Sequence, residues 1–119
     1  MMLDLNEYRA QLAAGVKEVG QLSPDTIKGY VELGSAGRKK DLLGAKIREL
    51  IALAVAVTAR CDGCITVHTE AALRHGATRE EVAEALGVAI AVNAGAALVY
   101  STRVMDAIRA YPDAASPQE

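Results

Sequence analysis

The chain has 119 residues, a formal net charge of -2 and 51% hydrophobic residues, a size that fits one domain with a modest core. Because the charge balance is slightly acidic and no basic stripe is present, we expect no nucleic-acid partner. Four tyrosines, without Trp or Phe, give no stacking platform for bases or flat cofactors, and we expect no cofactor.

The compartment is predicted from two features of the chain. Residues 1–9 lack a basic region followed by an apolar one, so we expect no secretory signal. The longest apolar stretch, Leu50 to Ala59 with one interruption at Thr58, is about half of a membrane-spanning helix. We therefore expect a cytoplasmic protein without a membrane partner. In a reducing cytosol, two cysteines three positions apart are typical of catalytic, redox-sensing or metal-binding sites.

Apolar residues at spacings of three or four predict a first helix from about Asp4 to Val19. Ser23 followed by proline predicts the start of a second helix, which runs to about Leu33. Residues 34–37, Gly-Ser-Ala-Gly, are expected to break it.

A third helix is predicted from Asp41 to about Arg60. Its second half, residues 50–57, is apolar on every side. Such a run could form a buried strand, but its alanines and its helical lead-in favour a central helix. A helix that is apolar all round needs cover from several neighbours, and a partner subunit is one source of that cover.

The remainder of the chain predicts three more helices. A fourth helix runs from about Cys61 to His75. A cation at His75 would interact favourably with the C-terminal end of the helix dipole, which gives this residue a structural role. Thr78 and Glu81 form a capping box that opens a fifth. Its predicted buried face consists of Val82, Leu86, Ala89 and Ile90. Asn93 either joins this face, bonds a neighbouring helix or lines the site, and the sequence does not decide among these roles.

We expect residues 93–95, Asn-Ala-Gly, to kink or break the fifth helix. The sixth helix then runs to about Ala110 before Pro112, with Tyr100 in the core. The sequence therefore predicts an all-α single domain, residues 1–119, of about six helices with a flexible tail at residues 113–119.

The segment that carries chemistry runs from Cys61 to His68. On a helix, Cys61, Cys64 and His68 are three and four residues apart, so their side chains share one face. Cys61 would lie at the helix start, which stabilises a thiolate, and the pair can close a reversible disulfide. His68, one turn from Cys64, could take its proton or return it to a leaving group.

Glu49 is the predicted partner of this histidine. If the third and fourth helices form a hairpin that turns near Arg60, Glu49 lies about 16 Å along one arm and His68 about 12 Å along the other. The carboxylate could then approach the imidazole and fix its tautomer, which makes a Glu–His–Cys relay. The alternative is that Glu49 is solvated or pairs with Lys46 or Arg48.

The spacing of Glu49, Cys61, Cys64 and His68 resembles that of the alkyl hydroperoxidase D-like proteins in the carboxymuconolactone decarboxylase superfamily. The segment that follows the motif is similar too, and the resemblance covers about residues 40–105. It implies an all-helical fold that assembles as trimers or hexamers. It also implies thiol-dependent reduction of hydroperoxides, with the two cysteines cycling through a disulfide.

Carried over by resemblance, Cys64 matches the cysteine that attacks peroxide, Cys61 its disulfide partner, and His68 with Glu49 the proton-relay pair. Some full-length members have a histidine just before the second cysteine, where this chain has Gly63, so its relay would be shorter. The helix-terminal position favours a thiolate at Cys61, which leaves open the cysteine that attacks first. The decarboxylase branch generally lacks the cysteine pair, which argues against lactone decarboxylation.

These patterns predict a thiol-dependent peroxidase. Its expected partners are a small hydroperoxide, a dithiol or thiol-protein reductant and further copies of the chain. The alternative is a non-enzymatic helical oligomer whose cysteines act as a redox sensor or metal clip. Because a structural zinc normally needs four ligands and no second pair accompanies Cys64 and His68, we expect no metal.

Overall fold

The computed structural model describes residues 1–111, which form five α-helices and no strand. In chain order the helices are α1 (Leu5–Leu22), α2 (Pro24–Lys40), α3 (Ala45–Ala59), α4 (Asp62–Arg74) and α5 (Arg79–Arg109). The all-α prediction is confirmed, whereas six helices is wrong because α5 replaces the predicted fifth and sixth. Pro112 and the predicted tail at residues 113–119 lie outside the described residues.

The α5 helix passes through residues 93–95 without a break. The Nδ2 group of Asn93 lies 2.8 Å from the backbone oxygen of Ala89 and 2.8 Å from Oγ1 of Thr58 on α3. The side-chain amide is therefore satisfied without opening the helix. Gly95 costs a helix interior about 1 kcal/mol relative to alanine, which is too little to divide a helix of 31 residues.

The α2 helix also runs past its predicted end and continues through residues 34–37 to Lys40. Three basic residues in its last turn oppose the negative end of the helix dipole. Asp41 then adopts a left-handed conformation with φ 51°, and it ends α2 instead of starting α3. At the other end, Ser23 is the N-cap, but its hydroxyl bonds to Thr26 Oγ1 at 2.7 Å and not to the backbone.

The packed core lies among α3, α4 and the start of α5. Leu53, Ala72 and Ala77 are buried together, and Leu50 and Val82 pack against them. Two of the three buried members are alanines, which let the helix axes approach closely. The core is therefore small, and the rest of the apolar surface stays outside it.

The start of α5 is fixed by side-chain contacts. Thr78 Oγ1 accepts the Glu81 backbone N–H at 3.0 Å, and Glu81 Oε1 accepts the Thr78 N–H at 2.9 Å. This is the predicted capping box. The second carboxylate oxygen of Glu81 lies 2.8 Å from Lys46 Nζ on α3, so the two helices are joined at this point.

Much of α5 beyond its first turns is exposed. Ala89 is buried, but Ile90 is 68% exposed and Tyr100 is 66% exposed. Ile90 and Tyr100 were therefore wrongly assigned to the buried face and the core. Asn93 is exposed as well, and of its predicted roles the structure shows a bond to the neighbouring helix α3. On α3, Ile51 and Val55 are also exposed, and the cover predicted for this helix is only partly supplied within the chain.

The overall dimensions are those of an extended chain. Its radius of gyration is 20.4 Å, against about 13.5 Å for a compact domain of this length. Its accessible surface is 9474 Å², against about 6,200 Å² for a compact monomer of this mass. The excess surface includes the apolar side chains of α3 and α5.

By length and composition alone, α5 could also cross a membrane, and 6% of its most apolar window is buried. The sequence reading missed this stretch because it divided the helix at residues 93–95. A single such helix is weak evidence, since core helices of soluble proteins have the same composition. The absence of a membrane partner stays a prediction.

Candidate functional site

The turn between α3 and α4 positions the cysteine pair. Arg60 ends α3 in a left-handed conformation with φ 57°, and the Cys61 N–H bonds to the Ala56 carbonyl at 3.0 Å. This 6→1 bond after a left-handed residue is that of the Schellman motif, a common way to end a helix. It reverses the chain, so that α4 returns along α3 as the second arm of a hairpin.

Cys61 is the N-cap of α4. Its Sγ accepts the Cys64 backbone N–H at 3.1 Å, in the place where a capping hydroxyl would usually lie. Cys61 and Cys64 are joined by a disulfide, with their Cα atoms 5.2 Å apart. Both residues are partly buried. Because the N-terminal N–H groups of a helix stabilise negative charge, sulfur at this position is favoured as a thiolate after reduction.

Gly63, between the two cysteines, is buried against α1. A Cβ atom at this position would lie 2.9 Å from Leu12 Cδ2, closer than real Cβ atoms pack. The N-terminal helix therefore lies over the C-x-x-C loop, and a side chain at position 63 would require the end of the Leu12 side chain to shift. Nothing in the sequence indicates that Leu12 occupies this place, where some relatives have a histidine.

Glu49 on α3 and His68 on α4 meet across the hairpin. The Glu49 carboxylate oxygens lie 2.9 and 3.2 Å from His68 Nδ1, and the two side chains are 17% and 33% exposed. With Nδ1–H donated to the carboxylate, Nε2 is left as the proton acceptor. Lys46 and Arg48, the alternative partners of Glu49, pair instead with Glu81 and Asp41.

The Glu49–His68 pair forms part of the wall of a cleft of about 340 Å³ between α2 and the α3–α4 hairpin. Its other charged or titratable lining residues are Arg38, Arg48, Arg74 and His75. His75, interpreted from sequence as a helix-end residue, is the C-cap of α4 and also faces this cleft. Sequence reasoning missed the arginines, because it ended α2 before Arg38.

Metal-ligating side chains are not grouped in the part of the chain that the structure describes. Within residues 1–111, no three His, Cys, Asp or Glu residues lie close enough together to hold an ion. The site consists of a disulfide, a carboxylate–imidazole pair and a basic cleft.

Comparison with known proteins identifies the class. The profile of the carboxymuconolactone decarboxylase family matches residues 24–107, and the chain belongs to this family. A crystal structure of an apo carboxymuconolactone decarboxylase family protein from Legionella pneumophila has a similar fold. The TM-score is 0.71 and the sequence identity 31%, over 87% of this chain and 92% of that one.

Similar sequences occur in several bacteria. An uncharacterized protein of Haemophilus influenzae is 47% identical over 107 residues, which is 90% of this chain and 95% of that protein. An uncharacterized protein of Cupriavidus necator is 34% identical, over 88% and 93% of the two chains. "Uncharacterized protein 4 in cox locus" of Paracoccus denitrificans is 31% identical, over 87% and 92%.

Proposed function

We propose that this protein is a thiol-dependent peroxidase that reduces organic hydroperoxides through Cys61 and Cys64. The observation that carries the proposal is the joined cysteine pair at the start of α4, one turn before an imidazole held by a carboxylate. Membership of a family that includes alkyl hydroperoxidase D-like proteins supports an enzyme. The cysteine pair favours redox chemistry over lactone decarboxylation.

The first half-reaction oxidises the cysteines. His68 Nε2 takes the proton of the Cys64 thiol, and the thiolate attacks the terminal oxygen of the hydroperoxide. The O–O bond breaks, Cys64 becomes a sulfenic acid, and the alkoxide takes the proton from His68 to leave as the alcohol. The Cys61 thiol then attacks the Cys64 sulfur, and its proton leaves with the displaced hydroxide as water.

The second half-reaction restores the thiols. An external dithiol, or a thiol protein, supplies two electrons and two protons and is itself oxidised to a disulfide. We place its attack at Cys64, because Cys61 is then the leaving group. The Cys64 N–H and the helix terminus stabilise the departing Cys61 thiolate. The sum is reduction of one hydroperoxide to alcohol and water per dithiol oxidised.

The test uses the full chain with dithiothreitol and cumene hydroperoxide. We expect Cys64→Ser to lose peroxide consumption by about 10³-fold or more, because the nucleophile is gone. Cys61→Ser is the matched variant. Once reduced and freed of dithiothreitol, it should consume about one equivalent of peroxide and keep a sulfenic acid that dimedone labels. Equal turnover by wild type and Cys64→Ser would overturn the proposal.

Glu49 has a positioning role in this mechanism. Glu49→Gln should lower turnover by about 10-fold to 100-fold and change the pH profile, because the tautomer of His68 is no longer fixed by a charge. Glu84→Gln, which removes an exposed carboxylate on α5, is the control and should leave both unchanged. A Glu49→Gln enzyme with the wild-type profile would exclude the relay.

We further propose that the protein is a cytoplasmic homo-oligomer, a trimer or a hexamer. The support is the apolar surface of α5, with Leu98 73% and Val99 70% exposed, on a chain more extended than a compact monomer. Light scattering at several protein concentrations measures the assembly directly. A species of 12.5 kDa at all concentrations would contradict it, and association with lipid vesicles would instead assign α5 to a membrane.

A non-enzymatic redox sensor is the second candidate, because the disulfide closes the turn that joins the two helices of the core. This function predicts negligible turnover and a change of mass between the reduced and oxidised forms. Identical masses of the two forms would exclude it.

A further inference from the structure

The walls of the 340 Å³ cleft carry unequal charge. Its lining includes three guanidinium groups, Arg38, Arg48 and Arg74, and one carboxylate, Glu49. The carboxylate is engaged by His68 at 2.9 Å. The cleft volume lies at the lower end of the range of about 300–1,000 Å³ found for small-molecule sites.

The three arginines differ in how far they are neutralised. Arg48 Nη1 lies 2.7 Å from Asp41, and Arg74 lies 3.4 Å from Glu70, both carboxylates being exposed. Arg38 has no ion-pair partner among residues 1–111. A guanidinium in this state is a donor for a ligand carboxylate, which it can hold through two parallel hydrogen bonds.

A contact between α2 and the Arg48 side chain of α3 supports this arrangement. A Cβ atom at Gly37 would lie 3.4 Å from Arg48 Cδ, in contact with the stem of that side chain, and the Arg48 side chain is only 24% exposed. The cleft is thus closed on one side by α2. Arg38 lines the cleft, whereas the adjacent Lys39 and Lys40 do not. All three residues lie in the last turn of α2, where a cation interacts favourably with the helix dipole.

The charged groups are distributed unevenly along the cleft. Its α4 wall runs from His68 to Arg74 and His75, a distance of about 10 Å along the helix axis. An anionic group is repelled by Glu49 near His68 and attracted by the arginines. A substrate with one reactive end and one negative end would therefore bind in a single orientation.

We propose that this cleft selects organic hydroperoxides that carry a carboxylate. Arg38 binds the carboxylate within the cleft, and the peroxide extends past His68 toward Cys64, which lies one helical turn away and is not part of the cleft lining. The inference rests on the proposed peroxidase function and names its substrate class. Cumene hydroperoxide and its para-carboxylate derivative form a suitable pair, because the two differ only in the charged group.

The kinetic arm compares these two substrates. Wild type should prefer the carboxylate by about tenfold or more in kcat/KM, chiefly through KM, which is the fold-change expected for one charged hydrogen-bonded contact. Arg38→Gln should lose this preference and keep its rate with the neutral substrate. Arg79→Gln removes an exposed arginine outside the cleft and should keep the preference. Equal kcat/KM for both substrates in wild type would overturn the inference.

A binding arm separates this inference from the peroxidase proposal. Titration calorimetry measures 4-isopropylbenzoate against 4-isopropylbenzamide, neither of which is a peroxide, on the oxidised protein. The benzoate should bind about tenfold tighter to wild type and to Arg79→Gln, but not to Arg38→Gln. If neither hydroperoxide is turned over, the peroxidase proposal fails. The binding result alone then decides whether the cleft binds carboxylates through Arg38. Equal binding of the acid and the amide would refute the inference.

Discussion

The α3–α4 hairpin and the C-terminal half of α5 are both rich in Ala, Val and Leu, yet they end in different surroundings. In the hairpin, Leu53 and Ala72 are 2% and 0% exposed, and polar groups cross from one arm to the other. In α5, Leu98 and Val99 remain largely exposed. The hairpin has packing partners within the chain, whereas the apolar surface of α5 has none among residues 1–111.

This difference divides the molecule by role. Glu49, His68 and both cysteines lie on or beside the hairpin, so the proposed chemistry needs no residue of another chain. The apolar residues of α5 make no comparable site and would contribute to assembly. Changes in α5 should therefore act on oligomeric state first, and changes near the hairpin on stability or turnover.

The largest effect is expected from charge on α5. Leu98→Glu should reduce the assembly to smaller species, down to 12.5 kDa, because burying a carboxylate against apolar side chains is unfavourable. Leu22→Glu, at the end of α1 and 83% exposed, is the control. Light scattering checks the masses, and a Leu98→Glu protein of wild-type mass would place the interface elsewhere.

The second effect concerns the contact of α1 with the hairpin. Gly63→Ala should lower the free energy of unfolding by about 1 kcal/mol, because the end of the Leu12 side chain must shift away from the new Cβ atom and this cost exceeds the gain in helix propensity. Gly29→Ala, at an open helical position, should instead stabilise by about 0.5–1 kcal/mol. Urea unfolding at fixed protein concentration measures both. A neutral Gly63→Ala would show that α1 does not pack tightly over the loop.

A smaller gain is expected at the turn of the hairpin. Arg60→Gly should stabilise by about 0.5–1 kcal/mol, because glycine adopts the left-handed conformation with φ 57° at lower cost. Lys17→Gly, in the interior of α1, should lose about 1 kcal/mol. The same urea titration distinguishes the two. Destabilisation by Arg60→Gly would mean that a contact of the arginine side chain stabilises the fold by more than the backbone strain costs.

The smallest effect concerns the ion pair between Lys46 on α3 and Glu81 in the first turn of α5. The Lys46 ammonium, followed by the Thr78 backbone N–H, holds the pKa of Glu81 below its ordinary 4.5. Because the folded-state pKa is depressed, this contribution to stability is present above the unfolded pKa and is lost as pH falls through the folded one. Lys46→Met should therefore lower Tm slightly at pH 7 and not at pH 3. The same Tm difference at both values would contradict this linkage.

Features of the site that lie within one helix or one helical hairpin could be predicted from the sequence. The C-x-x-C spacing predicted that Cys61 and Cys64 can close a disulfide, and helix arithmetic across one turn placed Glu49 near His68. Both inferences use only the geometry of a hairpin. The capping box at Thr78 was equally local.

Features that depend on contacts between distant segments could not be predicted from the sequence. The break expected at Asn93 fails because the side-chain amide bonds to Ala89 and Thr58. The closeness of Leu12 to Gly63 joins segments 51 positions apart, and no periodicity reports it. The basic cleft requires α2 to extend to Arg38 and to lie over α3, which depends on tertiary packing and not on propensity.

The most direct measurement of the central claim is a single-turnover oxidation of the fully reduced chain. One equivalent of hydroperoxide is added, the remaining thiols are alkylated, and mass spectrometry locates the modification. The account predicts one alcohol formed per chain and a disulfide between Cys61 and Cys64, with neither sulfur alkylated. Two alkylated cysteines after exposure to excess hydroperoxide would contradict it.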